Sequence, residues 1–458
     1  MSQNNLELKL TPKKTMFLLG VIIASGIYFR LMFSHFELPL NSDNLQYFLY
    51  AVDHSLGESV NSFKLHNTGW GLFLSFFFSV FNSNNYMDFM ALQKVISIII
   101  ESLTAIPIYF LGKKFFSDKL ALLGSILFVF EPRIVQNSTF GISDPLYIIG
   151  LTIAIVFLVN SRKNFEFLAF TILGLSIIVR SEGLFLIPAF IIVYFWQKSI
   201  SKKSILRILI CLLIISTILS MITYQKSFEN ENDGLFSRID SGVTEIYSSP
   251  ETNSAGGPIN LLLNGAINFI KFLGWSQFPV WMFFVPAGFI ILLISKNQKT
   301  GIIFTLLFFI SLPTLYAFSF SNETRYLFPL YPIFSILALF FLNKINQCNK
   351  KFSILQIVII VGLITSSSGF LIWKDIDIEN EFVAFDLMKN ISDDKKIVNY
   401  FGYESSYRIT TVLEKVQGFP ITSSEIEQHS MKIINISRVS SLEEFMKDAF
   451  EKKLTHLV

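Results

Sequence analysis

Long apolar segments recur along the chain and constrain its fold more than any other feature. A membrane-spanning helix needs roughly 20 apolar residues, with about 17–25 tolerated. Eleven segments have this character, and they are residues 16–33, 91–111, 120–130 with a few flanking residues, 146–159, 165–179, 184–196, 205–223, 278–294, 302–320, 327–342 and 354–373. The sequence therefore predicts an all-α polytopic membrane bundle of about eleven transmembrane helices.

The composition agrees with this interpretation and excludes a water-soluble globule. Hydrophobic residues make up 52% of the chain and charged residues only 16%, whereas soluble domains carry about a quarter charged residues. The net charge of +3 gives no reason to expect a nucleic-acid partner. Cys211 and Cys348 lie within or beside apolar segments, so we expect neither a disulfide framework nor a metal cluster.

The distribution of basic residues predicts the membrane topology. If the short apolar segment 70–81 lies in the membrane interface and does not cross, every basic hairpin falls on one side, which the positive-inside rule makes the cytoplasm. We therefore predict surface helices at 70–81 and 261–275, the latter containing Lys271. The N-terminus is expected in the cytoplasm, with the first span retained, and the C-terminal domain on the extracytoplasmic side of the cell membrane.

The chain divides into two predicted domains. Residues 1–373 form a transmembrane domain whose first outer loop covers residues 35–90, and residues 374–458 form a small extracytoplasmic α/β domain. In that tail we predict strands at 396–401 and 432–436. A helix is predicted at 441–451, where Ser441 and Glu444 have the spacing of a capping box. The strand-like end at 456–458 could leave the domain incomplete there.

Acids and arginines cluster at the predicted outer membrane boundary. Together with one histidine, they come from separate parts of the chain. These residues are Asp43, Asp144, Arg180, Glu182, Arg325 and His66. A carboxylate at this depth can take a proton from an acceptor group. An arginine can hold a phosphate and stabilise the charge that develops on it as it leaves. The pattern therefore favours a reaction on a lipid-anchored phosphate.

The order of several short motifs resembles the GT-C glycosyltransferases, in particular the protein O-mannosyltransferase and aminoarabinose-transferase branch. The similarity covers roughly residues 16–332. The motifs are Ser42-Asp43, the His-x-x-Gly-Trp sequence of His66 to Trp70, Leu111-Gly112-Lys113-Lys114-Phe115-Phe116, Glu131-Pro132, Ser143-Asp144-Pro145-Leu146, Arg180-Ser181-Glu182-Gly183-Leu184 and Arg325-Tyr326-Leu327-Phe328-Pro329.

The resemblance implies an inverting glycosyltransferase that takes a sugar from a polyprenyl or dolichyl phosphate. The acceptor would be a protein, a lipid or a glycan on the extracytoplasmic face. By this resemblance Asp43 is the catalytic carboxylate and Asp144 a second essential acid near the acceptor. Arg325, with help from Arg180 or Arg133, would hold the donor phosphate.

Two departures from the family pattern affect the expected cofactor. Family members often have two adjacent acids where this chain has Asp43-Asn44, and His-Pro-Pro where it has His66-Asn67-Thr68. The first departure removes one metal ligand, so a divalent-metal requirement is left open and no other cofactor is assigned. His66 and Glu182 are expected near the substrate or near such a metal.

Each candidate residue also has a structural interpretation. Asp43 could be a solvated loop acid, and Asp144 could complement the N-terminus of the helix that follows it. Arg325 could anchor its span at the lipid headgroups, and Arg180 could simply pair with Glu182. His66 could be an ordinary interfacial histidine.

Three other functional classes compete with the glycosyltransferase hypothesis. An oligosaccharyltransferase of the same superfamily would resemble its relatives in a Trp-Trp-Asp-Tyr-Gly motif, which the tail lacks. A multi-pass transporter or flippase predicts charged residues near the middle of the spans, where Glu101 is an exception without an assigned partner. A non-catalytic scaffold would lack the acids and arginines that this chain retains.

Overall fold

The computed structural model describes twelve stretches of the chain, residues 11–58, 67–160, 162, 164–228, 257–295, 298–348, 352–392, 399–401, 407–415, 419–429, 432–433 and 441–457. Their packing forms two compact units. The first unit is Met1–Ser34 with Ile96–Leu371, and the second is His35–Val95 with Ile372–Val458. The division shows that the first loop and the tail, although far apart in sequence, belong to one packing unit.

Helices dominate the described residues. In chain order they are α1 (Pro12–Met32), α2 (Ser42–Ser55), α3 (Gly69–Val80), α4 (Tyr86–Leu103), α5 (Ala105–Gly112), α6 (Asp118–Val129), α7 (Pro132–Thr139), α8 (Asp144–Val159), α9 (Phe165–Val179), α10 (Ile187–Gln197), α11 (Lys202–Phe228), α12 (Gly257–Ser276), α13 (Phe284–Ile294), α14 (Gln298–Ala317), α15 (Tyr331–Cys348), α16 (Phe352–Ser392), α17 (Tyr407–Lys415), α18 (Ser423–His429) and α19 (Leu442–Glu451). Two 3-10 helices, Ser181–Leu186 and Thr324–Leu330, precede α10 and α15. The segments predicted as surface helices at 70–81 and 261–275 form α3 and α12, and their place at the membrane surface stays a prediction.

All eleven predicted apolar segments contain helix, which confirms the helical polytopic membrane fold. Within the described residues, six helices are long and apolar enough to cross a membrane, or seven if the bent pair α6 and α7 counts as one span. The other four segments contain shorter apolar helices, among them α8. With 16 residues, α8 rises about 24 Å, at 1.5 Å per residue, which is less than a typical hydrocarbon core of about 30 Å.

The first unit is a helical bundle with a continuous apolar core. Its largest fully buried side chains include Phe128, Phe170 and Tyr331, contributed by α6, α9 and α15. Other apolar side chains, such as Leu213 of α11 and Val361 of α16, are exposed. Outward-facing apolar side chains suit a helix that faces lipid rather than water. The bundle therefore buries one set of apolar helix faces in its core and exposes another set on its outer surface.

The second unit has its own aromatic core, shared by the first loop and the tail. The ring of Phe419 lies 6.0 Å from that of Phe48 and 5.1 Å from that of Phe89. The buried carboxylate of Asp53 accepts hydrogen bonds from the backbone N–H of Ser423, at 2.7 Å, and from its hydroxyl. These contacts explain why residues 35–95 group with the tail. The domain boundary predicted at residue 373 stays a prediction.

A small parallel sheet lies in the tail. Its strands are β1 (Asn399–Phe401), β2 (Lys432–Ile433) and β3 (His456–Leu457), in the order β2-β1-β3. Between β2 and β3 the chain forms α19, whose N-cap Ser441 accepts a hydrogen bond from the backbone N–H of Glu444 at 3.2 Å. The structure thus confirms the capped helix and strands at 399–401 and 432–433, within the two predicted segments, while the predicted strand residues 396–398 and 434–436 lie outside the described residues. Helix and strand together give the tail α/β character.

Candidate functional site

Three of the predicted site residues meet at one end of the α8–α9 hairpin. Asp144 is the first residue of α8, and Arg180 follows the last residue of α9. Arg180 forms an ion pair with Asp144, and its Nη2 lies 3.0 Å from Oε1 of Glu182. The side chains of Asp144 and Arg180 are only 1% and 8% exposed. One buried guanidinium therefore lies between two carboxylates.

The turn after α9 holds Arg180 in this position. The backbone of Arg180 is extended, and its N–H donates to the carbonyl of Ser176 at 3.0 Å. The carbonyl of Arg180 then accepts from the N–H of Gly183 at 3.1 Å, which starts the first 3-10 helix. A Cβ on Gly183 would lie 2.9 Å from Cγ1 of Ile177. The turn can be this tight because residue 183 has no side chain.

Arg325 joins this group through the ring of Tyr326. The guanidinium carbon of Arg180 lies 5.7 Å from the ring centroid of Tyr326, and that of Arg325 lies 5.8 Å from it. Both distances fall within the range of a cation–π interaction. Arg325 also pairs with the exposed Glu323. The sequence motif that contains Tyr326 predicts no role for this residue, because nothing in the motif indicates that its ring contacts two arginines.

The second 3-10 helix is fixed by α14. The hydroxyl of the buried Thr314 donates to the carbonyl of Tyr326 at 2.9 Å. Thr314 follows Pro313, which lies inside α14. A proline there removes one backbone donor of the helix. The bond from Thr314 sets the position of the segment that carries Arg325 and Tyr326.

These elements enclose a cleft in the first unit. It has about 320 Å³ of empty space, including its opening, and it is lined by Tyr147, Arg180, Glu182, Leu186, Ile310, Pro313, Thr314, Tyr326 and Pro329. Most of this lining is apolar or aromatic, and the cation of Arg180 lies on one wall. Such a surface suits an amphipathic molecule with an anionic group.

Arg133 contacts a different set of residues in the same unit. It lies in the first turn of α7, and its Nη2 donates to the carbonyl of Trp275 at 3.0 Å. Its guanidinium also stacks over the rings of Trp275 and Phe370, at 5.4 and 4.8 Å. The structure thus shows Arg133 bound to the end of α12.

Asp43 lies in the second unit, in the first turn of α2. The preceding residue, Ser42, has a φ of 49°, a left-handed conformation that is uncommon for a residue with a side chain. Next to it, the side-chain amide of Asn41 donates to Glu381 at 3.0 Å, and the hydroxyl of Tyr407 donates to the same carboxylate at 2.6 Å. Strained backbone of this kind is often found at functional sites.

The remaining expectations concern His66 and a metal. His66 lies outside the described residues. Asn44, the residue where relatives often have a second acid, is buried, and its carbonyl accepts a hydrogen bond from the side chain of Gln93 at 3.1 Å. Among the residues that the structure describes, no group of three or more His, Cys, Asp or Glu side chains could hold a metal ion.

The sequence matches one family model, described as a predicted membrane protein (DUF2079), over residues 57–399. No curated protein matches the sequence. ArnT from Cupriavidus metallidurans bound to undecaprenyl phosphate superposes with a TM-score of 0.60 at 11% identity, covering 98% of this chain and 90% of that chain.

An archaeal enzyme has a related structure. The oligosaccharyltransferase AglB from Archaeoglobus fulgidus, in complex with an inhibitory peptide and a dolichol-phosphate, superposes with a TM-score of 0.51 at 11% identity. The match covers 92% of this chain and 65% of that chain, so this chain spans about two thirds of the length of AglB. At this level of identity, both likenesses show a shared fold.

Proposed function

Because the chain belongs to the DUF2079 family of predicted membrane proteins and shares its fold with ArnT and AglB, we propose that it is an inverting membrane glycosyltransferase. Its donor is a sugar linked to a polyprenyl or dolichyl phosphate, and it acts on the extracytoplasmic face. The observation that carries the proposal is the largely apolar cleft lined by Arg180 and Tyr326, whose ring centroid also lies 5.8 Å from the guanidinium carbon of Arg325. The likeness to ArnT bound to undecaprenyl phosphate and to AglB with a dolichol-phosphate supports it.

The lining of the cleft matches the chemistry of both parts of such a donor. The arginines bind the phosphate through charge-assisted hydrogen bonds, while side chains such as Leu186 and Ile310 contact the hydrocarbon chain. Arg325 is the more accessible of the two cations, because its side chain is 24% exposed and that of Arg180 only 8%. We therefore assign the first contact with the phosphate to Arg325. Arg133 supports the binding of the donor phosphate indirectly, through its hydrogen bond to the carbonyl of Trp275.

In the proposed reaction the acceptor attacks the anomeric carbon of the sugar from the side opposite the phosphate. The carbon–oxygen bond to the phosphate breaks, its electron pair goes to the phosphate oxygen, and the configuration inverts. The carboxylate of Asp43 takes the proton of the acceptor group. The arginines stabilise the charge that develops on the leaving phosphate.

Asp144 and Glu182 act on the reaction through Arg180. Asp144 forms a buried ion pair with that guanidinium, and Glu182 contacts it at 3.0 Å. Two fixed carboxylates keep the guanidinium oriented, so that it need not reorganise when the phosphate leaves. Asp144, proposed as an essential acid near the acceptor, is therefore also a positioning residue for the donor site.

A second candidate function has an observation in its favour. Arg30, Glu101 and Glu131 are fully buried in the first unit, and charges at membrane depth are a common feature of transporters. A multi-pass transporter or flippase of lipid-linked or small polar substrates would use them. The two candidates differ in whether the bond between sugar and phosphate is broken.

The experiment uses purified protein in liposomes with a panel of radiolabelled polyprenyl-phosphate sugars and a membrane extract as acceptor source. We expect transfer of one sugar by the wild type, and a loss of about 100-fold or more in Asp43→Asn, since general bases contribute roughly 10²–10⁴-fold. Asp88→Asn, the same change at an exposed acid of the second unit, is the control and should keep wild-type activity.

Three results would contradict the proposal in different ways. Movement of the intact donor across the bilayer, without cleavage, would support the transporter. Equal transfer by Asp43→Asn would retain the reaction but exclude Asp43 as the base. If the wild type neither cleaved nor moved any donor, the proposed function would be overturned.

A further inference from the structure

The loop that leads into α2 contacts α16 at both of its ends. Nε2 of His35 lies 2.9 Å from Oδ1 of Asp375. At the other end, the side-chain amide of Asn41, the last residue before α2, donates to Oε2 of Glu381 at 3.0 Å. Between them, the buried Leu38 packs in one cluster with apolar side chains of the tail. All of these residues belong to the second unit, so the tail contacts the loop up to the start of α2.

The first part of this loop has a second support, from α4. Nζ of the buried Lys94 donates to the carbonyl of His35 at 2.8 Å and to that of Leu38 at 2.7 Å. The side chain of Asn41 instead contacts Glu381. Residue 41 should therefore depend on Glu381 for its position more than the first part of the loop does.

Glu381 is itself held by the hydroxyl of the buried Tyr407. That hydroxyl donates to Oε2 of Glu381 at 2.6 Å, a length typical of an O–H donor on a carboxylate. The same oxygen thus accepts from both Tyr407 and Asn41. Tyr407 is 1% exposed, and its ring centroid lies 5.5 Å from that of Phe385. Close packing of the ring fixes the hydroxyl, and the hydroxyl orients the carboxylate.

Asn41 in turn holds the first turn of α2. Its carbonyl accepts hydrogen bonds from the N–H groups of Asn44 at 3.1 Å and Leu45 at 3.3 Å. Asp43 lies in the turn that these two bonds close. An asparagine at the N-cap normally accepts a hydrogen bond from the second or third helical residue, but among the described residues the side chain of Asn41 makes no such bond. The contact with Glu381 takes the place of the usual cap.

We propose that Glu381 and Tyr407 are positioning residues for Asp43, the base of the proposed reaction. Glu381 fixes Asn41, whose carbonyl fixes the first turn of α2, and Tyr407 fixes Glu381. These contacts also hold Ser42 at its φ of 49°, since strained backbone persists only where the surrounding structure determines it. The inference rests on the proposed function for its effect on turnover. Its effect on the first turn of α2 does not depend on the reaction.

The experiment reverses the polarity of the contact between residues 41 and 381. Asn41→Asp removes the donor and places a carboxylate against that of Glu381, although aspartate caps a helix as well as asparagine does. In the double variant Asn41→Asp/Glu381→Gln, the amide group at residue 381 can donate to this carboxylate, and its oxygen can still accept from Tyr407. Asn380→Asp, the same change at an exposed residue of α16, is the matched control.

Three quantities are measured on folded, monodisperse protein. They are the turnover number for sugar transfer, the dissociation constant for undecaprenyl phosphate, and the rate of hydrogen exchange at the backbone N–H groups of Asn44 and Leu45. Hydrogen exchange reports local opening, here of the first turn of α2, and it needs no substrate. The dissociation constant reports on the cleft that contains Arg180, which belongs to the first unit.

We expect Asn41→Asp to lower the turnover number roughly 10- to 100-fold, because a misplacement of about 1 Å can cost on the order of 10²-fold. It should also speed hydrogen exchange in the first turn of α2 and leave the dissociation constant unchanged. The double variant should recover both turnover and slow exchange. Tyr407→Phe, which keeps the buried ring, should change both in the same direction as Asn41→Asp but by less. Asn380→Asp should change none of the three quantities.

Wild-type turnover together with wild-type exchange in Asn41→Asp would overturn the inference. Equal losses in Asn41→Asp and in the double variant would also overturn it, because the contact between residues 41 and 381 would then not be their cause. A dissociation constant that rises as turnover falls would do the same, because it would indicate a general change of the fold.

Two further outcomes keep the inference testable. If Asn41→Asp did not fold, Tyr407→Phe would decide, and wild-type turnover and exchange in that variant would overturn the inference. If the wild type transferred no sugar, the proposed function would fail. Hydrogen exchange would then still decide whether Glu381 and Tyr407 hold the first turn of α2.

Discussion

At the scale of single residues, the site is defined by how two arginines are held. Arg180 is buried between Asp144 and Glu182, whereas Arg325 pairs with an acid that is 54% exposed. A buried guanidinium keeps its position because its partners are fixed. In an exposed ion pair, each charged group can readily replace its partner with water. The two arginines should therefore contribute differently to stability and to binding.

The first prediction separates the two ion pairs by their stability. Asp144→Asn leaves Arg180 buried beside a neutral amide, and breaking a buried pair costs about 3–5 kcal/mol. Glu323→Gln removes the exposed partner of Arg325 and should change the free energy of unfolding by less than about 1 kcal/mol. Denaturant unfolding in detergent measures both. Equal losses would mean that the pair with Asp144 is not effectively buried.

The second prediction concerns the ring of Tyr326, which both arginines contact. Tyr326→Phe keeps the ring and should bind undecaprenyl phosphate as the wild type does. Tyr326→Leu removes the cation–π contacts, which are worth about 0.5–2 kcal/mol, and should raise the dissociation constant by roughly 3- to 30-fold. Isothermal titration in detergent gives both constants. A loss in Tyr326→Phe as large as that in Tyr326→Leu would assign the effect to the hydroxyl.

Only part of this site could be predicted from the sequence. Arg180 and Glu182 are two residues apart, and their pairing follows from a tight turn. The pairing of Asp144 with Arg180 depends on how α8 and α9 pack, and the position of Tyr326 depends on α14. Apolar segments show which residues form helices but not which helices are neighbours. The role of Asp43 as catalytic base stays a prediction.

At the scale of elements, the segment that carries Arg325 and Tyr326 depends on one hydrogen bond from α14. The third prediction removes it. Thr314→Val deletes the donor to the carbonyl of Tyr326 and should cost about 1 kcal/mol, because a partly buried carbonyl loses its partner. It should also weaken donor binding. Thr314→Ser keeps the hydroxyl and should retain wild-type affinity for undecaprenyl phosphate. Similar affinities in both variants would show that the bond does not position this segment.

The turn between α9 and α10 supplies the fourth prediction. Gly183→Ala places a Cβ 2.9 Å from Ile177, so the turn must shift, and overpacking of this kind costs about 1–3 kcal/mol. Gly20→Ala is the control, because a Cβ at Gly20 would meet nothing within 4 Å. Thermal unfolding should show a loss only in Gly183→Ala. A stable Gly183→Ala variant with normal donor binding would mean that the turn adapts.

The elements themselves were largely predictable because their signals are local. Each apolar segment yields a helix, and Ser441 caps α19 at the predicted spacing. The boundaries were less predictable. The second apolar segment is divided into α4 and α5, and segment 278–294 becomes helical only from Phe284. Those helix breaks depend on packing between helices, and the mean hydropathy of a segment carries no information about that packing.

At the scale of the whole molecule, the first loop and the tail depend on each other. Asp53 of α2 accepts hydrogen bonds from the backbone and side chain of Ser423, 370 residues further along the chain. Burial raises the pKa of Asp53 above its ordinary value of 3.8, and the hydrogen bonds from Ser423 oppose this effect. The folded unit therefore binds this proton more tightly than the unfolded chain does.

The fifth prediction follows from that pKa. Because the folded state binds the proton more tightly than the unfolded state, this contribution to stability is fully present below pH 3.8 and is lost as the pH rises through the raised pKa. Asp53→Asn cannot titrate. We expect the thermal stability of the wild type to fall relative to Asp53→Asn as the pH rises above 3.8. A constant difference across the acidic range would contradict the pKa assignment.

Long-range relations of this kind could not be read from the sequence. Arg30 of α1 and Ser138 of α7 are 108 residues apart, and only the fold reveals that they are hydrogen-bonded. The same holds for Asp53 and Ser423. A resemblance of short motifs nevertheless predicts the fold that this chain shares with ArnT and AglB, while the glycosyltransferase activity stays a proposal.

The most direct test of the central claim is the affinity of the protein for undecaprenyl phosphate in detergent. We predict saturable binding by the wild type and by Arg162→Met, which removes an exposed cation elsewhere. The double variant Arg180→Met/Arg325→Met should lose about 100-fold or more, since hydrogen bonds to charged groups contribute about 1.5–3 kcal/mol each. Unchanged affinity in the double variant would contradict the assignment of the cleft as the donor-phosphate site.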